Sequence, residues 1–530
     1  FVPAVVLSRK SRYNCTENIA KSGPVLPGQK ENNAMRESGI LLPVFCLPSP
    51  YGIGCFSREA YRWVDFLEKA GQRYWQILPL GPTSFGDSPY QSFSTYAGNP
   101  YFIDLEQLVG EGVLKRSEVR NCDCGLKSQD IDYGKLYRNR MPLLKKAYAR
   151  SLRKEDPDFA EFQERNAWWL DDYCLFMAVK DVFGGASWDQ WAEDIRYRWD
   201  NALHYYRTTY AEEIGFYAWL QYQFDRQWKR LKSYANEKGV QIIGDIPIYV
   251  AYDSADVWAR PELFLLDEKR RPSAVAGVPP DGFTADGQLW GNPLYRWDHH
   301  KETGYDWWMG RIAYCFTLYD VLRIDHFRGF DEYFSIPAGD RTAVNGHWEK
   351  GPGIGFFHAL KNRLGEKRII AEDLGYLTDS VRRMVADSGY PGMKVLEFAF
   401  DSRDSSGAGD YLPHNYPRNC VVYTGTHDNE TVRGWLDSIR RREKKMVREY
   451  LGRQKETEDE LAQELVRAAL ASVADLCIIP LQDYLGLKNE ARINFPSTLG
   501  TNWRWRMKKE DMNAELARKI RSICRLYGRA

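Results

Sequence analysis

Residues 321–328 read Val-Leu-Arg-Ile-Asp-His-Phe-Arg, a short apolar run that ends in charged and polar groups. Hydrophobicity that is continuous along a short segment is typical of a parallel strand covered on both faces. Other runs of this kind follow one another along the chain, and several of them also end in Asp, Glu or His. The eight runs are Ser38–Pro43, Tyr74–Leu80, Val240–Pro247, Val321–Asp325, Arg368–Asp373, Met393–Phe400, Cys420–Thr426 and Leu476–Leu481.

The spaces between the runs predict how these strands are connected. Helix-like stretches such as 58–70 and 378–388 lie between several of them, and 514–527 predicts a closing helix after the last. Eight buried strands separated by helices predict an α/β fold, the (β/α)8 or TIM barrel. In that fold, catalytic groups lie at the carboxyl ends of the strands, where several of these runs carry acidic residues.

Two connections are too long to be simple crossovers. Residues 82–238 contain helical stretches at 159–183 and 212–234, which predict a helical insertion after the second strand. Residues 251–307 are rich in Gly and Pro around 276–292, which predicts a long structured loop after the third strand, able to act as a lid. The predicted organisation is a flexible leader at 1–37 and a single catalytic domain at 38–530.

Five tryptophans fall in or near the predicted helical insertion, and packing between helices is the expected role of each. They are Trp168, Trp169, Trp188, Trp191 and Trp199.

Charge and composition limit the class of partner. Lys and Arg total 73 and Asp and Glu total 72, so the chain has no net field to attract nucleic acid or an anionic membrane. No apolar run reaches the length of a membrane span. Aromatic residues make up 14% of the chain, and their rings suit the faces of sugars, although packing is their more common role. A neutral small-molecule partner is the prediction.

The ten cysteines are scattered, except for Cys122 and Cys124. A gap of one residue does not match the spacing of a structural zinc half-site. The cysteines are therefore predicted to be free thiols.

Three of the segments at strand ends carry candidate catalytic carboxylates, Asp325, Glu372 and Asp428. Cleavage or transfer at a sugar acetal requires one ionised carboxylate at the anomeric carbon and one protonated carboxyl at the leaving oxygen. A single acidic residue at a strand end is more often a helix cap or a loop hydrogen-bond acceptor. Three such residues on different predicted strands favour a catalytic site.

The neighbours of the carboxylates predict different roles for them. Arg323 lies two residues before Asp325 on the same strand face, with Arg328 beyond, which predicts an ionised nucleophile of low pKa. Glu372 has apolar flanks, which predict a raised pKa and a proton donor. Asp428 follows His427, and this pair is expected to bind the sugar hydroxyls beside the reacting bond and to distort the ring.

Several motifs, in a fixed order, resemble those of a known family. Segments around Asp245, Asp325, Glu372 and Asp428 resemble the four signature segments of the α-amylase clan. Residues 86–92, 289–293 and 327–330 resemble more closely the 4-α-glucanotransferases of glycoside hydrolase family 77, which include amylomaltase and the plant disproportionating enzyme. The resemblance extends from about residue 38 to residue 505.

The resemblance implies a role for each matching residue. Asp325 would be the nucleophile, Glu372 the acid/base and Asp428 the stabiliser of the transition state, with Arg323 as the partner of Asp325. Tyr90 would stack on the sugar at the cleavage point. The other residues implied along the glucan groove are Asp245, Trp290, His427, Asp401 and Asn494.

One departure from the wider α-amylase pattern concerns calcium. Amylases end the first segment with Asn-His, whereas this chain has Tyr249 and Val250, which offer neither a carboxylate nor an amide side chain. No calcium, and no other metal or cofactor, is expected.

The resemblance implies a retaining 4-α-glucanotransferase acting on maltooligosaccharides, glucose and starch-derived glucans, with the carboxyls of Asp325 and Glu372 ~5 to 5.5 Å apart. The alternatives are a retaining α-glucan hydrolase on the same barrel and a non-catalytic glucan-binding scaffold. The plastid enzymes of this family point to the chloroplast stroma and make a homodimer a candidate assembly. A bacterial cytoplasmic enzyme would share all the catalytic motifs.

Overall fold

The computed structural model describes residues 36–125, 130–280, 284–375, 377–402 and 408–530. Nearly all of the predicted leader, 1–37, therefore lies outside the described residues. The strands are β1 (Glu37–Leu41), β2 (Tyr74–Gln76), β3 (Gln241–Pro247), β4 (Ala274–Val278), β5 (Gln288–Pro293), β6 (Val321–Asp325), β7 (Glu332–Pro337), β8 (His347–Lys350), β9 (Ile369–Ala371), β10 (Gly392–Val395), β11 (Cys420–Tyr423) and β12 (Leu476–Pro480).

Eight of these strands close into a barrel in the order β1-β12-β11-β10-β9-β6-β3-β2, and their pairings are all parallel. The predicted eight-stranded barrel is confirmed, and each predicted run supplies one strand. Some runs are longer than their strands. The run Met393–Phe400, for example, leaves the barrel at Val395 and continues as a 3-10 helix over Leu396–Phe400.

Helices cover the outside of the barrel and fill its longer connections. The α-helices of the described residues are Arg58–Lys69, Leu105–Gly110, Arg116–Arg120, Tyr133–Lys135, Met141–Ser151, Pro157–Val182, Glu193–Arg196, Asp200–Thr209, Ala211–Glu237, Ala255–Ala259, Trp297–Glu302, Asp306–Leu318, Ile354–Leu364, Asp379–Ser388, Val432–Ser438, Arg441–Leu451, Glu458–Ala471, Leu481–Leu485 and Ala514–Leu526. No helix among the described residues is both long enough and apolar enough to cross a lipid bilayer.

The helix Arg58–Lys69 shows how local sequence produces these elements. The Ser57 side chain accepts a hydrogen bond from the backbone N–H of Glu59 and so caps the first turn. Ala60, Trp63 and Leu67 recur at helical spacing and are buried against the barrel. The predicted helix at 58–70 is confirmed.

Long helices dominate the connection between β2 and β3, where Pro157–Val182 packs against Ala211–Glu237. Trp169, Trp188 and Trp191 are buried, as their predicted packing role requires. The packing prediction is wrong for Trp199, which is 50% exposed in front of the helix Asp200–Thr209. The assignment of residues 38–530 to a single catalytic domain stays a prediction.

The connection after β3 differs from the predicted loop, because it contains the antiparallel strands β4 and β5. Gly277, part of the signal for a loop, lies beside a register shift, and a Cβ there would come within 2.1 Å of the Gln288 carbonyl oxygen. Glycine thus permits close pairing of two strands at this point. β4 also pairs with β7, which follows β6, giving a four-stranded sheet in the order β5-β4-β7-β8.

The barrel interior is filled by side chains that point inward at alternate positions of the strands. This interior cluster draws on all eight barrel strands and consists of Leu41, Tyr74, Ile243, Val321, Ile370, Met393, Val395, Val421, Tyr423 and Ile478. Two-residue periodicity carries the inward face from Ile243 to Asp245 and from Val321 to Arg323 and Asp325. The interior therefore changes from apolar to charged towards the carboxyl ends of the strands.

The burial of His300 is expected to make the folded protein less stable in acid. It is fully buried, and burial lowers its pKa to about 4, while its Nε2 lies 3.2 Å from the Leu263 carbonyl oxygen. Between its unfolded pKa of about 6.5 and a pKa of about 4 in the fold, the unfolded chain binds more protons, so stability falls as the pH falls. Replacing His300 with Phe is expected to reduce the drop in Tm between pH 7 and pH 4.

The matched control is His347→Phe, because the His347 side chain is 66% exposed. Its Tm is expected to fall with pH as in the unmodified protein. If His300→Phe retains the full drop in Tm, burial of this imidazole does not contribute to acid sensitivity.

Candidate active site

Arg323 lies at the centre of a charged cluster at the carboxyl ends of the barrel strands. The register of β3 and β6 pairs Asp245 with Arg323. Arg323 Nη1 donates to both carboxylate oxygens of Asp245 at 2.8 and 2.7 Å, and Arg323 Nη2 lies 2.9 Å from Asp325 Oδ1. One buried guanidinium therefore orients two carboxylates in a geometry that Lys could not reproduce.

The electrostatics of Asp325 correct the predicted low pKa. Burial raises the pKa of Asp325, Arg323 opposes this rise, and Asp245, Glu372 and Asp428 add to it. The predicted second arginine, Arg328, instead places its guanidinium 3.9 Å from the ring centroid of Trp348 on β8. The predicted low pKa rested on the two arginines, whereas in the fold burial and three acidic side chains outweigh the one arginine that contacts Asp325.

Glu372 follows β9 directly and extends its pairing with β6, since its backbone N–H donates to the Ile324 carbonyl at 3.1 Å. Its carboxyl accepts from two backbone groups, His326 N–H at 2.6 Å on Oε2 and Leu374 N–H at 2.9 Å on Oε1. His326 has a φ of 53°, a left-handed conformation that is uncommon outside glycine. Burial raises the pKa of Glu372, the predicted direction, and Arg323 and the two N–H groups oppose it.

Tyr90 connects the Arg323 cluster to His427. Its hydroxyl donates to Asp245 Oδ2 at 2.7 Å and lies 2.9 Å from His427 Nε2. Burial raises the pKa of Tyr90 well above its usual value, so the phenol keeps its single proton. Because that proton goes to Asp245, the His427 nitrogen facing Tyr90 carries the hydrogen of the second bond.

The rings of Tyr90 and His427 are stacked, with centroids 5.3 Å apart and planes 13° from parallel. His427 is buried, and burial lowers its pKa, which favours the neutral imidazole at neutral pH. His427 Nε2 also lies 3.3 Å from Asp428 Oδ2. Tyr90, His427 and Asp428 thus form one side of the site.

Asp428 is held by residues that follow β12. Asn494 Nδ2 donates to Asp428 Oδ1 at 2.6 Å, and Asn494 N–H donates to the His427 carbonyl at 3.1 Å. Arg492 donates to the backbone carbonyls of both Asp428, from Nη2 at 2.7 Å, and Asn494, from Nε at 2.8 Å. Sequence analysis missed Arg492, because nothing in its local sequence marks a residue that acts through backbone contacts.

The other residues predicted for the groove are Trp290, which contacts this cluster through His326, and Asp401. The Trp290 ring on β5 meets the His326 ring edge to face, with centroids 4.8 Å apart, and so borders the Glu372 side of the site. Asn292 on the same strand accepts from Gln91 Nε2 at 3.1 Å, which links this strand to the loop that carries Tyr90. Asp401 is half-buried directly after the 3-10 helix Leu396–Phe400, and its place in the groove stays a prediction.

The described part of the chain holds no group of three or more His, Cys, Asp or Glu side chains able to bind a metal ion. Tyr249 and Val250, at the positions where amylases carry their calcium-site residues, are both 5% exposed and belong to the apolar core.

A family model described as 4-alpha-glucanotransferase, of glycoside hydrolase family 77, matches residues 42–512. The chain belongs to this family. The predicted relationship to the 4-alpha-glucanotransferases is thereby confirmed, and the family match covers every site residue described above.

Individual 4-alpha-glucanotransferases resemble the chain along most of its length. The enzyme of Clostridium butyricum is 50% identical over 486 residues, covering 91% of this chain and 99% of that protein. A chloroplastic/amyloplastic one from Solanum tuberosum is 40% identical over 548 residues, covering 99% of this chain and 94% of that protein. The solved amylomaltase of Streptococcus agalactiae in complex with acarbose is 43% identical, with a TM-score of 0.90, covering 93% and 100% of the two chains.

Proposed function

We propose that the chain is a retaining 4-alpha-glucanotransferase that moves α-1,4-glucan segments between maltooligosaccharides. The observation that carries this proposal is the difference between the surroundings of Asp325 and Glu372. Among the described ion pairs, Arg323 contacts the carboxylate of Asp325 but not that of Glu372, which accepts backbone hydrogen bonds instead. Two carboxyls in such different surroundings suit the two roles that a retaining mechanism requires.

The cluster contains more carboxyls than cations, which favours protonation of one of the carboxyls. Arg323 contacts the Asp325 carboxylate and opposes the rise in its pKa, whereas Glu372 contacts no cation among the described ion pairs. Burial raises the pKa of both carboxyls, so the contact with Arg323 decides between them, and we place the proton on Glu372. This leaves Asp325 as the nucleophile and Glu372 as the proton donor.

The reaction proceeds in two balanced steps. Asp325 attacks the anomeric carbon while Glu372 gives its proton to the glycosidic oxygen, which releases the shortened glucan and leaves a glucosyl ester on Asp325. Glu372 then takes the proton of an acceptor sugar hydroxyl, whose oxygen attacks the anomeric carbon and frees Asp325. Two inversions restore the original configuration.

The remaining residues are proposed to hold the glucan. Asp428 and His427 bind hydroxyls of the reacting sugar, with the Asp428 carboxylate as an acceptor. Tyr90, already fixed by Asp245 and His427, offers its ring to the sugar face at the cleavage point. The residues proposed along the groove are Trp290, Asn494 and Asp401.

Maltotriose separates transfer from hydrolysis. Incubation with the purified protein is expected to yield glucose and a ladder of longer maltooligosaccharides while the total of reducing ends stays constant. A rise in reducing ends would replace the proposal with a retaining hydrolase. An unchanged maltotriose profile would leave a glucan-binding scaffold.

Arg492 is predicted to position Asp428. Arg492→Lys keeps the charge but loses the fork that reaches the Asp428 and Asn494 carbonyls, so a displaced Asp428 is expected to lower kcat/KM for maltotriose by about 10- to 100-fold. The measurement is kcat and KM beside Tm for each variant.

The control is Arg418→Lys, since Arg418 is exposed and pairs with Asp475 away from this cluster. It is expected to keep its full kcat/KM. If Arg492→Lys folds and keeps kcat/KM within about threefold, Arg492 does not act through Asp428.

We further propose that the protein works in a plastid. The relative from Solanum tuberosum, which matches most of this chain, is a chloroplastic/amyloplastic enzyme. Activity confined to stromal fractions would support this, and a bacterial cytoplasmic origin is the alternative.

A homodimer is also proposed, and light scattering of the purified protein would test it.

A further inference from the structure

Cys122 and Cys124 lie on either side of a tight turn in the connection between β2 and β3. The backbone N–H of Cys124 donates to the Cys122 carbonyl at 3.0 Å, which closes a three-residue turn around Asp123. The turn brings the two Sγ atoms within 2.8 Å of each other. A disulfide bond of about 2.05 Å requires that two thiols already lie close together, and these do.

We propose that Cys122 and Cys124 form a redox-active dithiol, which a disulfide oxidant such as oxidised glutathione converts reversibly into an intramolecular disulfide. The site lies outside the glucan-binding residues and does not depend on the transfer reaction.

The two thiols differ in exposure, which favours a reaction in which Cys122 is oxidised first and Cys124 reacts second. Cys122 is half-buried and within reach of a small oxidant, whereas Cys124 is fully buried behind it. The hydrogen bond from Cys124 lowers the pKa of Cys122 to about 7, so that a large share of Cys122 is thiolate near neutral pH. The same bond raises the pKa of Cys124, which holds its proton until the first step is complete.

Other cysteines of the described chain have the opposite character. Burial raises the pKa values of six of them and leaves each shielded from an oxidant. These six are Cys46, Cys55, Cys174, Cys315, Cys420 and Cys477. Oxidation is therefore expected to favour Cys122.

The chemistry balances as two thiol–disulfide exchanges. The Cys122 thiolate attacks one sulfur of oxidised glutathione and forms a mixed disulfide, and one glutathione leaves as its thiolate. Cys124 then loses its proton and attacks Cys122 Sγ, which forms the protein disulfide and releases the second glutathione. The protein loses two electrons and two protons, and one oxidised glutathione becomes two reduced ones.

The surroundings hold the turn in place for this reaction. Asp123 accepts from Lys135 Nζ at 2.9 Å through its carboxylate and from Asn139 Nδ2 at 2.6 Å through its carbonyl. On the other side, a Cβ on Gly52 would lie 1.6 Å from the Cys124 carbonyl oxygen, so glycine is required for this close approach. A pre-formed turn reduces the conformational entropy lost on closing the disulfide.

The test follows the thiols directly. The protein is equilibrated at stepped ratios of oxidised to reduced glutathione, then unfolded while the remaining thiols are blocked with a maleimide, and the peptide containing Cys122 and Cys124 is examined by mass spectrometry. We expect a peptide that lacks two hydrogens and carries no maleimide at oxidising ratios, and that returns to the doubly labelled form on reduction.

Two serine variants and one control complete the test. Cys124→Ser is expected to accumulate the glutathione mixed disulfide on Cys122, because the resolving thiol is gone, and Cys122→Ser is expected to form neither product. Cys55→Ser is expected to behave as the unmodified protein. Maleimide on both Cys122 and Cys124 at every ratio, or equal oxidation of the buried cysteines, would overturn the proposal.

Discussion

Asp325→Asn is expected to lower kcat for maltotriose by at least about 10⁴-fold, the largest effect of any single substitution in this protein. The amide keeps the volume of the side chain but cannot form the glucosyl ester. Arg323 retains its two bonds to Asp245, so the substitution does not strand a buried charge. The measurement is the rate of glucose release together with Tm, which is expected to change little.

The matched control is Asp475→Asn, which removes an exposed carboxylate paired with Arg418. It is expected to retain full activity. Near-full activity in Asp325→Asn would instead mean that another group attacks the anomeric carbon.

A smaller side chain at this position tests the role of Asp325 more sharply. In Asp325→Gly, azide can occupy the vacated space and attack the sugar in one step, so an activated α-glucosyl donor is expected to give a β-glucosyl azide. A product that retains the α configuration would contradict the assignment of Asp325 as nucleophile.

Glu372→Gln is expected to lower kcat for maltotriose by about 10²- to 10⁴-fold, because the amide cannot donate a proton to the leaving oxygen. Donors with a good leaving group, such as an α-glucosyl fluoride, need no such proton and should lose far less in the first step. Comparison of maltotriose with the fluoride therefore isolates proton donation from binding.

The pH profile provides a second measurement on the same variant. Burial raises the pKa of Glu372, so the acid stays protonated, and the enzyme active, to a higher pH than an exposed glutamate would allow. The alkaline limb of kcat/KM for maltotriose is expected to vanish in Glu372→Gln, which has no carboxyl proton to lose at this position. Glu366→Gln, at an exposed glutamate, is expected to keep it.

The barrel itself could be predicted because its evidence is local. A strand covered on both faces must be apolar along its whole length, and eight such runs, separated by helical stretches, leave few alternative folds. The acidic residues at strand ends were equally visible, since Asp325 and Glu372 lie at the ends of apolar runs and Asp428 comes two residues after one. Their assembly at one end follows from parallel strands and needs no further information.

The second sheet could not be predicted from the same kind of evidence. β4 and β7 are far apart in the chain, and their pairing depends on backbone bonds that leave little trace in short strands. Gly277 indicated a loop, although in the structure it allows two strands to approach closely. A glycine marks where the backbone needs space, and only the partner segment shows why.

By itself, then, the sequence determined the barrel, the carboxylates at its strand ends and the relationship to the 4-alpha-glucanotransferases, because periodicity and short motifs are properties of neighbouring residues. The tertiary structure decided the electrostatics. It assigned Arg323 to both Asp245 and Asp325, placed Arg328 over Trp348, stacked Tyr90 on His427 and set Arg492 behind Asp428. These contacts join residues from separate connections, and the pKa of a carboxyl depends on burial and on all the charges around it, which only the folded chain brings together.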